Sequence, residues 1–174
     1  MIRVGILTTD DRVELLDELL VYKFPKTPPH CVATHLTGDQ LRRIVPAGWH
    51  VTSHGPITMD TSEPEPDLAI IQGGIRDYLD HHPGPEDVAM AIEIADSSLA
   101  RDRGIKRRIY ARAGVPVYWI VDVTERRVEI CTAPSGPSDH PAYGTIRAYG
   151  EAELLPVVID GREVGKIAVR DILP

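Results

Sequence analysis

A chain of 174 residues suits one folded unit spanning 1–174, since a single core stops growing only beyond about 250 residues. Hydrophobic residues at 43% and charged residues at 26% exclude a disordered chain, and aromatics at 5% with a single Phe leave the core to Val, Ile, Leu and Ala, which favours α/β layers. A net charge of -7 excludes a protein that coats itself with nucleic acid through a global basic field, so any such contact has to come from a local patch.

From Asp11 to Tyr22, Val13, Leu16, Leu19 and Leu20 recur at helical spacing, with Asp11 and Glu14 in capping-box-like positions, and this predicts an amphipathic first helix. The PKTPP stretch breaks it. A second helix is expected from about His30 to Val45, weakened by Gly38 and ended by Pro46. Segments 49–53 and 56–60 read as short strands forming a hairpin around His54, Gly55 and Pro56, followed by the acidic SEPEP connector. The apolar runs LAIIQ after Asp67 and VAMAIEIA after Asp87 read as buried strands, separated by a loop with a Pro83-Gly84-Pro85 turn.

The period turns helical from Leu99 to Ala113, with Ile105 and Ile109 inward, Ser98 as N-cap and Gly114 just past the end. VPVYWIVD returns to strand, and a DVTE turn leads to a second arm, RRVEICTA. SGPSDHP has the composition of a loop, and YGTIRAYG and VVIDGREV supply late strands, the last around an Asp160-Gly161 hairpin turn.

Cys31 and Cys131 stand far apart with no CxxC spacing, which signals neither a disulfide framework nor a zinc cluster and fits a reducing cytoplasm. The acidic N-terminus lacks the pattern of a secretion signal, and no apolar run approaches a membrane span. The seven histidines form no HExxH pattern, and most read as surface or turn residues. There is no GxSxG elbow, no GxxxxGK[ST] loop and no GxGxxG fingerprint, so serine hydrolase, P-loop and dinucleotide chemistries have no support.

Glu93 lies inside VAMAIEIA, where an unpaired carboxylate would cost several kcal/mol, so it needs a partner: a neighbouring arginine, or a hard divalent cation. Asp67 opens the preceding strand after Pro66, a place where Asp is often only a turn residue. Strand alternation puts Glu93 and Ala95 on one side and Ile92 and Ile94 on the other, so a cation for Glu93 has to come from elsewhere, and the helix from Leu99 can return over the strand to bring one. On that helix Asp102 and Lys106 stand four apart, the spacing of a surface salt bridge worth ~0.3 to 0.5 kcal/mol. Arg101, Arg103, Lys106, Arg107, Arg108 and Arg112 face a single acid there, and such a strip is either a solvated helix face or a place for phosphate backbone.

The run EIADSSLARDRGIKRRIYARAGVPVYWIVD, from Glu93 to Asp122, resembles the Uma-two family, whose pattern is a strand with Glu, a DSS-type turn, a helix with Asp and Lys, then YARAGxxxYWxVD. The PDLAII strand and the RVELLDELL helix with Glu14 are similar to the family's as well, and His30 falls where its members often carry a histidine. The resemblance implies an α/β restriction-endonuclease-like fold, a mixed central β-sheet flanked by helices, in the PD-(D/E)xK nuclease superfamily. It implies Asp67 as the first acid, Glu93 as the second, and Lys106 as a lysine moved from the strand, where Ala95 stands, onto the helix. Glu14 would join from the first helix, and Mg²⁺ or Mn²⁺ would be held by Asp67, Glu93 and the Ile94 carbonyl.

The implied activity is hydrolysis of phosphodiester bonds in nucleic acid, DNA ahead of RNA, by a homodimer, and the basic strip offers Arg103, Arg107 and Arg108 as phosphate contacts. A competing expectation, motivated by the net acidity, is an inactive protein of the same fold acting as an interaction module. Nucleic-acid binding without cleavage, through the basic strip, is a third.

Overall fold

The computed structural model describes residues 11–174. Six strands form the central sheet in the order β3-β4-β5-β6-β7-β8: β3 (Trp49–Ser53), β4 (Leu68–Gln72), β5 (Val88–Ala95), β6 (Val117–Asp122), β7 (Arg127–Pro134) and β8 (Tyr143–Gly150). All neighbours are antiparallel except β5 and β6, which run parallel. A parallel pair needs a crossover, and residues 99–112 supply it. This is the mixed sheet with flanking helices expected from the sequence.

The two faces of β5 are covered by different elements, as strand alternation requires. Ile92 and Ile94 join Trp119 and Val121 on the face where α1 (Pro28–Ile44) and the hairpin β9 (Leu154–Ile159) and β10 (Arg162–Ala168) pack. Ala91 and Ala95 join Tyr118, Ile120, Tyr110 and Ala111 on the face covered by the crossover helix. Both faces are apolar, which is why β5 and β6 read as continuous hydrophobic runs, and Glu93 enters the second face as a charge among them. Asp160 and Gly161 adopt left-handed φ of 50° and 71° in the β9–β10 turn, the geometry of the predicted Asp-Gly hairpin.

Three sequence expectations about residues 11–60 fail. Residues 11–22 form no helix but a hairpin, β1 (Val13–Leu16) and β2 (Leu19–Tyr22), turning at Asp17 and Glu18 with φ of 48° and 66°. The short apolar pattern fits either structure, and long-range contacts decide: the Glu18 N–H donates to the Thr61 carbonyl, the Glu63 N–H to the Leu15 carbonyl, and Arg112 pairs with Asp17. The 49–53 and 56–60 hairpin also fails, because β3 pairs with β4. Residues 56–60 form an irregular loop held by Ile57 N–H to Pro64 O and Thr58 N–H to Pro83 O. The PKTPP stretch, expected to stand outside the second helix, begins it instead: Thr27 is the N-cap and Pro28 occupies the first turn, where its missing N–H costs nothing. Among the described residues no helix is long and apolar enough to cross a membrane.

Candidate active site

The crossover helix is built in three registers: α2 (Leu99–Arg101), a π-turn (Asp102–Lys106) and α3 (Arg107–Arg112). Gly104 sits in the π-turn and weakens helical preference there, and the Tyr118 hydroxyl donates to the Asp102 carbonyl at 3.1 Å. Ser98, Asp102, Lys106 and Tyr110 recur every four residues and make a polar stripe turned toward the Glu93 face of the sheet. The Ser98 hydroxyl donates to Asp102 Oδ2 at 2.5 Å rather than capping the helix with its side chain.

Lys106, only 5% exposed, does not form the surface bridge to Asp102 that the spacing suggests. Its ammonium donates to Glu93 Oε1 at 2.9 Å and lies 3.1 Å from Glu14 Oε2. The Tyr110 hydroxyl donates to the same Glu93 oxygen at 3.0 Å. Glu93 is therefore partnered by a lysine rather than by an arginine. Glu14 arrives from the β1–β2 hairpin, where it faces inward with Leu16, and Arg101 Nη1 lies 3.6 Å from its Oε1.

Asp67 immediately precedes β4, beside the end of the antiparallel β5, and its Oδ2 accepts the Ile94 N–H at 2.8 Å. His30 Nε2 from α1 lies 3.1 Å from that oxygen, and His54 Nδ1 lies 3.6 Å from Oδ1. Asp67, Glu93, Lys106, Glu14, His30 and His54 line one cleft of about 90 Å³. The structure thus brings together five of the residues singled out in the sequence, Glu14, His30, Asp67, Glu93 and Lys106, and adds His54, Asp102 and Tyr110. The periodic polar stripe was the signal for the latter two; His54 had none, because only the fold places it beside Asp67.

Arg103, Arg107 and Arg108 do not line this cleft. Arg103 pairs with Glu129 and lies 3.4 Å from Asp122, Arg107 lies against the Cys131 thiol, and Arg108 stands 3.5 Å from Asp17. The basic strip is thus dispersed around the helix rather than gathered on one face.

Burial pushes Glu93 well above the ordinary carboxylate range; Lys106 opposes this, and the nearby Asp102, Asp67 and Glu14 add to it. Asp102, buried as well, is pushed up to about 6. Asp67 goes the other way: burial disfavours its charge, but His30 and the Ile94 N–H hold it below its usual value. Burial also disfavours the Lys106 charge, yet Glu93, Glu14 and Asp102 around it raise its pKa. In the metal-free protein the folded state keeps the Glu93 and Asp102 protons after the unfolded chain has released them. Stability should therefore fall as pH rises from about 4 to beyond 6, with Asp102 alone accounting for about 3 kcal/mol. Melting in EDTA across this range checks it; a midpoint that rises toward neutral pH would contradict it.

The donor set suits a hard divalent cation. Six carboxylates, from Glu14, Glu65, Asp67, Glu93, Asp96 and Asp102, line the cleft against Lys23, Lys26, Arg101 and Lys106, and both hydrogen bonds to Glu93 fall on Oε1, leaving Oε2 without one among the described residues. Among the described residues no three His, Cys, Asp or Glu side chains close on a point in ligand geometry. That is compatible with Mg²⁺, which keeps several waters and is commonly bound through one or two carboxylates.

A family model described as "Putative restriction endonuclease", Uma2, matches residues 4–163, nearly the whole chain. The chain belongs to the Uma2 family. Among solved structures, the Uma2 chain is similar to a protein from Anabaena variabilis ATCC 29413 titled a "putative nuclease belonging to DUF820". The TM-score is 0.73 at 13% sequence identity, over 98% of this chain and 94% of that one, so the likeness is one of fold. No curated protein matches the chain.

Proposed function

We propose that this Uma2 protein is a metal-dependent nuclease that hydrolyses phosphodiester bonds of nucleic acid, DNA ahead of RNA. The observation that carries the reading is the convergence of Asp67, Glu93 and Lys106 from three separate elements on one cleft. Both acids are nearly buried, at 8% and 4% exposure, and such clustered, perturbed carboxylates in a cleft are typical of functional sites. Membership of the Uma2 family supports the same activity.

Asp67 and Glu93, with the Ile94 carbonyl and Glu14 as further oxygen donors, would hold Mg²⁺ or Mn²⁺. Such an ion, when bound, polarises a phosphodiester oxygen and lowers the pKa of water at the site. The chain's own groups do the positioning. His30 and the Ile94 N–H fix the Asp67 carboxylate, so its orientation is set before anything binds. Tyr110 and Lys106 fix Glu93 by one oxygen and leave the other for a ligand. Lys106 also keeps a permanent positive charge at the floor of the cleft, where it opposes the build-up of negative charge on a phosphoryl group. Arg107 and Arg108 remain proposed phosphate contacts outside the cleft, and Arg103, already paired with two acids, is the weakest of the three.

Calorimetric titration of Mg²⁺ and Mn²⁺ into the protein and into Asp67→Ala, with cleavage assays on plasmid and single-stranded substrates, tests the reading. Binding and cleavage by the parent, both lost in Asp67→Ala, are expected. No binding and no cleavage by the parent would leave the inactive interaction module as the better account.

A further inference from the structure

The chain is poor in aromatic residues, and its Phe, Tyr and Trp side chains are buried or half-buried with two exceptions, Tyr22 and Phe24. Tyr22 is 80% exposed and Phe24, the single Phe, is 44% exposed. Burying a Phe ring normally contributes to a core, so placing the only one at the surface calls for a reason. Phe24 lies on the rim of the cleft that holds Asp67 and Glu93. The Arg101 guanidinium sits 4.3 Å from its ring centroid, and Arg101 is itself tied to the Tyr22 carbonyl at 2.8 Å and to Glu14 at 3.6 Å. The ring is thus held in place while much of it stays open to solvent.

The same rim carries cations. The sequence from Tyr22 is YKFPK, lysines interleaved with the two rings. Lys23 is paired with Glu65, but Lys26 is exposed and makes no ion pair among the described residues; its ammonium lies 3.0 Å from His54 Nε2. A polyanion approaching a chain of net charge -7 meets repulsion over most of its surface, and counterion release at one or two lysines is a weak grip. An aromatic face adds attraction that does not depend on charge, and only unpaired bases present their faces to it.

We propose that the rim formed by Phe24, Lys26 and Arg101 binds single-stranded nucleic acid, stacking an unpaired base on Phe24 while Lys26 contacts backbone phosphate and the strand leads toward Asp67 and Glu93. Tyr22 extends this surface along the hairpin outside the cleft. The inference rests on the nuclease reading for its biological sense, but the binding it describes requires no metal and no cleavage.

The test is fluorescence anisotropy of the full chain in EDTA with a labelled oligodeoxyuridylate, an oligouridylate of equal length and a duplex of the same length. Single strands should bind more tightly than duplex, and the better of the two single strands identifies the sugar preferred. Phe24→Leu, which keeps apolar bulk without a π-face, should weaken single-strand binding by about 5- to 100-fold and leave melting unchanged, while Phe24→Tyr should retain it. Lys26→Ala should reduce the salt slope by about 0.7. Phe24→Leu binding single strands as tightly as the parent, or duplex binding better than single strands, overturns the proposal. Asp67→Ala separates the two readings: single-strand binding that persists there, with cleavage absent even from the parent, upholds the rim and removes the nuclease. Duplex cleavage by the parent that Phe24→Leu leaves untouched, with single-strand affinity equally untouched, removes the rim and keeps the nuclease.

Discussion

Glu93→Gln is expected to lower metal-dependent cleavage by at least about 10²- to 10³-fold while leaving the metal-free protein as stable as the parent, or more so, near neutral pH. The substitution keeps the shape of the side chain and an oxygen to accept from Lys106 and Tyr110, and removes only the charge. In the parent that charge is opposed by burial and by Asp102, Asp67 and Glu14, so an uncharged group at this position relieves the folded state. Charge is, however, what a divalent cation needs from the site. Cleavage, Mg²⁺ calorimetry and thermal melting on one preparation separate these effects. Cleavage within about tenfold of the parent would remove Glu93 from the reacting centre. Lost cleavage accompanied by a collapsed melting point would make its role structural.

The second large effect is on folding. Lys106→Met fills a comparable volume but strips the central cation from Glu93 and Glu14, both nearly buried, and should cost about 3 to 5 kcal/mol near pH 7. Against a total stability of roughly 5 to 15 kcal/mol this brings the protein close to unfolding. The cost should shrink at mildly acidic pH, where Glu93, whose pKa burial already raises, takes up a proton. The double variant Lys106→Met/Glu93→Gln should recover part of it, because the unpaired charge goes with its partner. Urea unfolding of the two single variants and the double variant at both pH values measures this. A Lys106→Met protein within about 1 kcal/mol of the parent would mean that the lysine is not the counter-charge of the cleft.

The segments legible in the sequence were those whose pattern admits one structure. Residues 68–72, 88–95 and 117–122 are apolar on both faces and flanked by turn residues, and each is a strand. The Asp160-Gly161 pair specifies its own turn, and Gly114, with φ of 79°, ends the crossover helix as expected. Glu93 was legible as a charge needing a partner because it interrupts such a run. The alternation that puts it opposite Ile92 and Ile94 also implied that its cation would come from the returning helix, and Lys106 does.

Residues 11–22 were misread because an apolar pattern over so few positions satisfies a helix and a hairpin alike, and the contacts that decide lie some forty to ninety-five residues away, at Thr61, Ser62, Glu63 and Arg112. The same dependence on distant partners explains the site. Sequence alone singled out the candidate site residues, Asp67, Glu93 and Lys106, through local pattern and family likeness. Only the tertiary structure decided that Lys106 pairs with Glu93 and Glu14 rather than with Asp102, that His30 and His54 close on Asp67, and that the basic residues of the helix diverge. The physical reason is that a buried charge takes the partner that lies within reach after burial, and that reach is set by how the hairpin, α1 and the crossover helix pack against the sheet rather than by spacing along the chain.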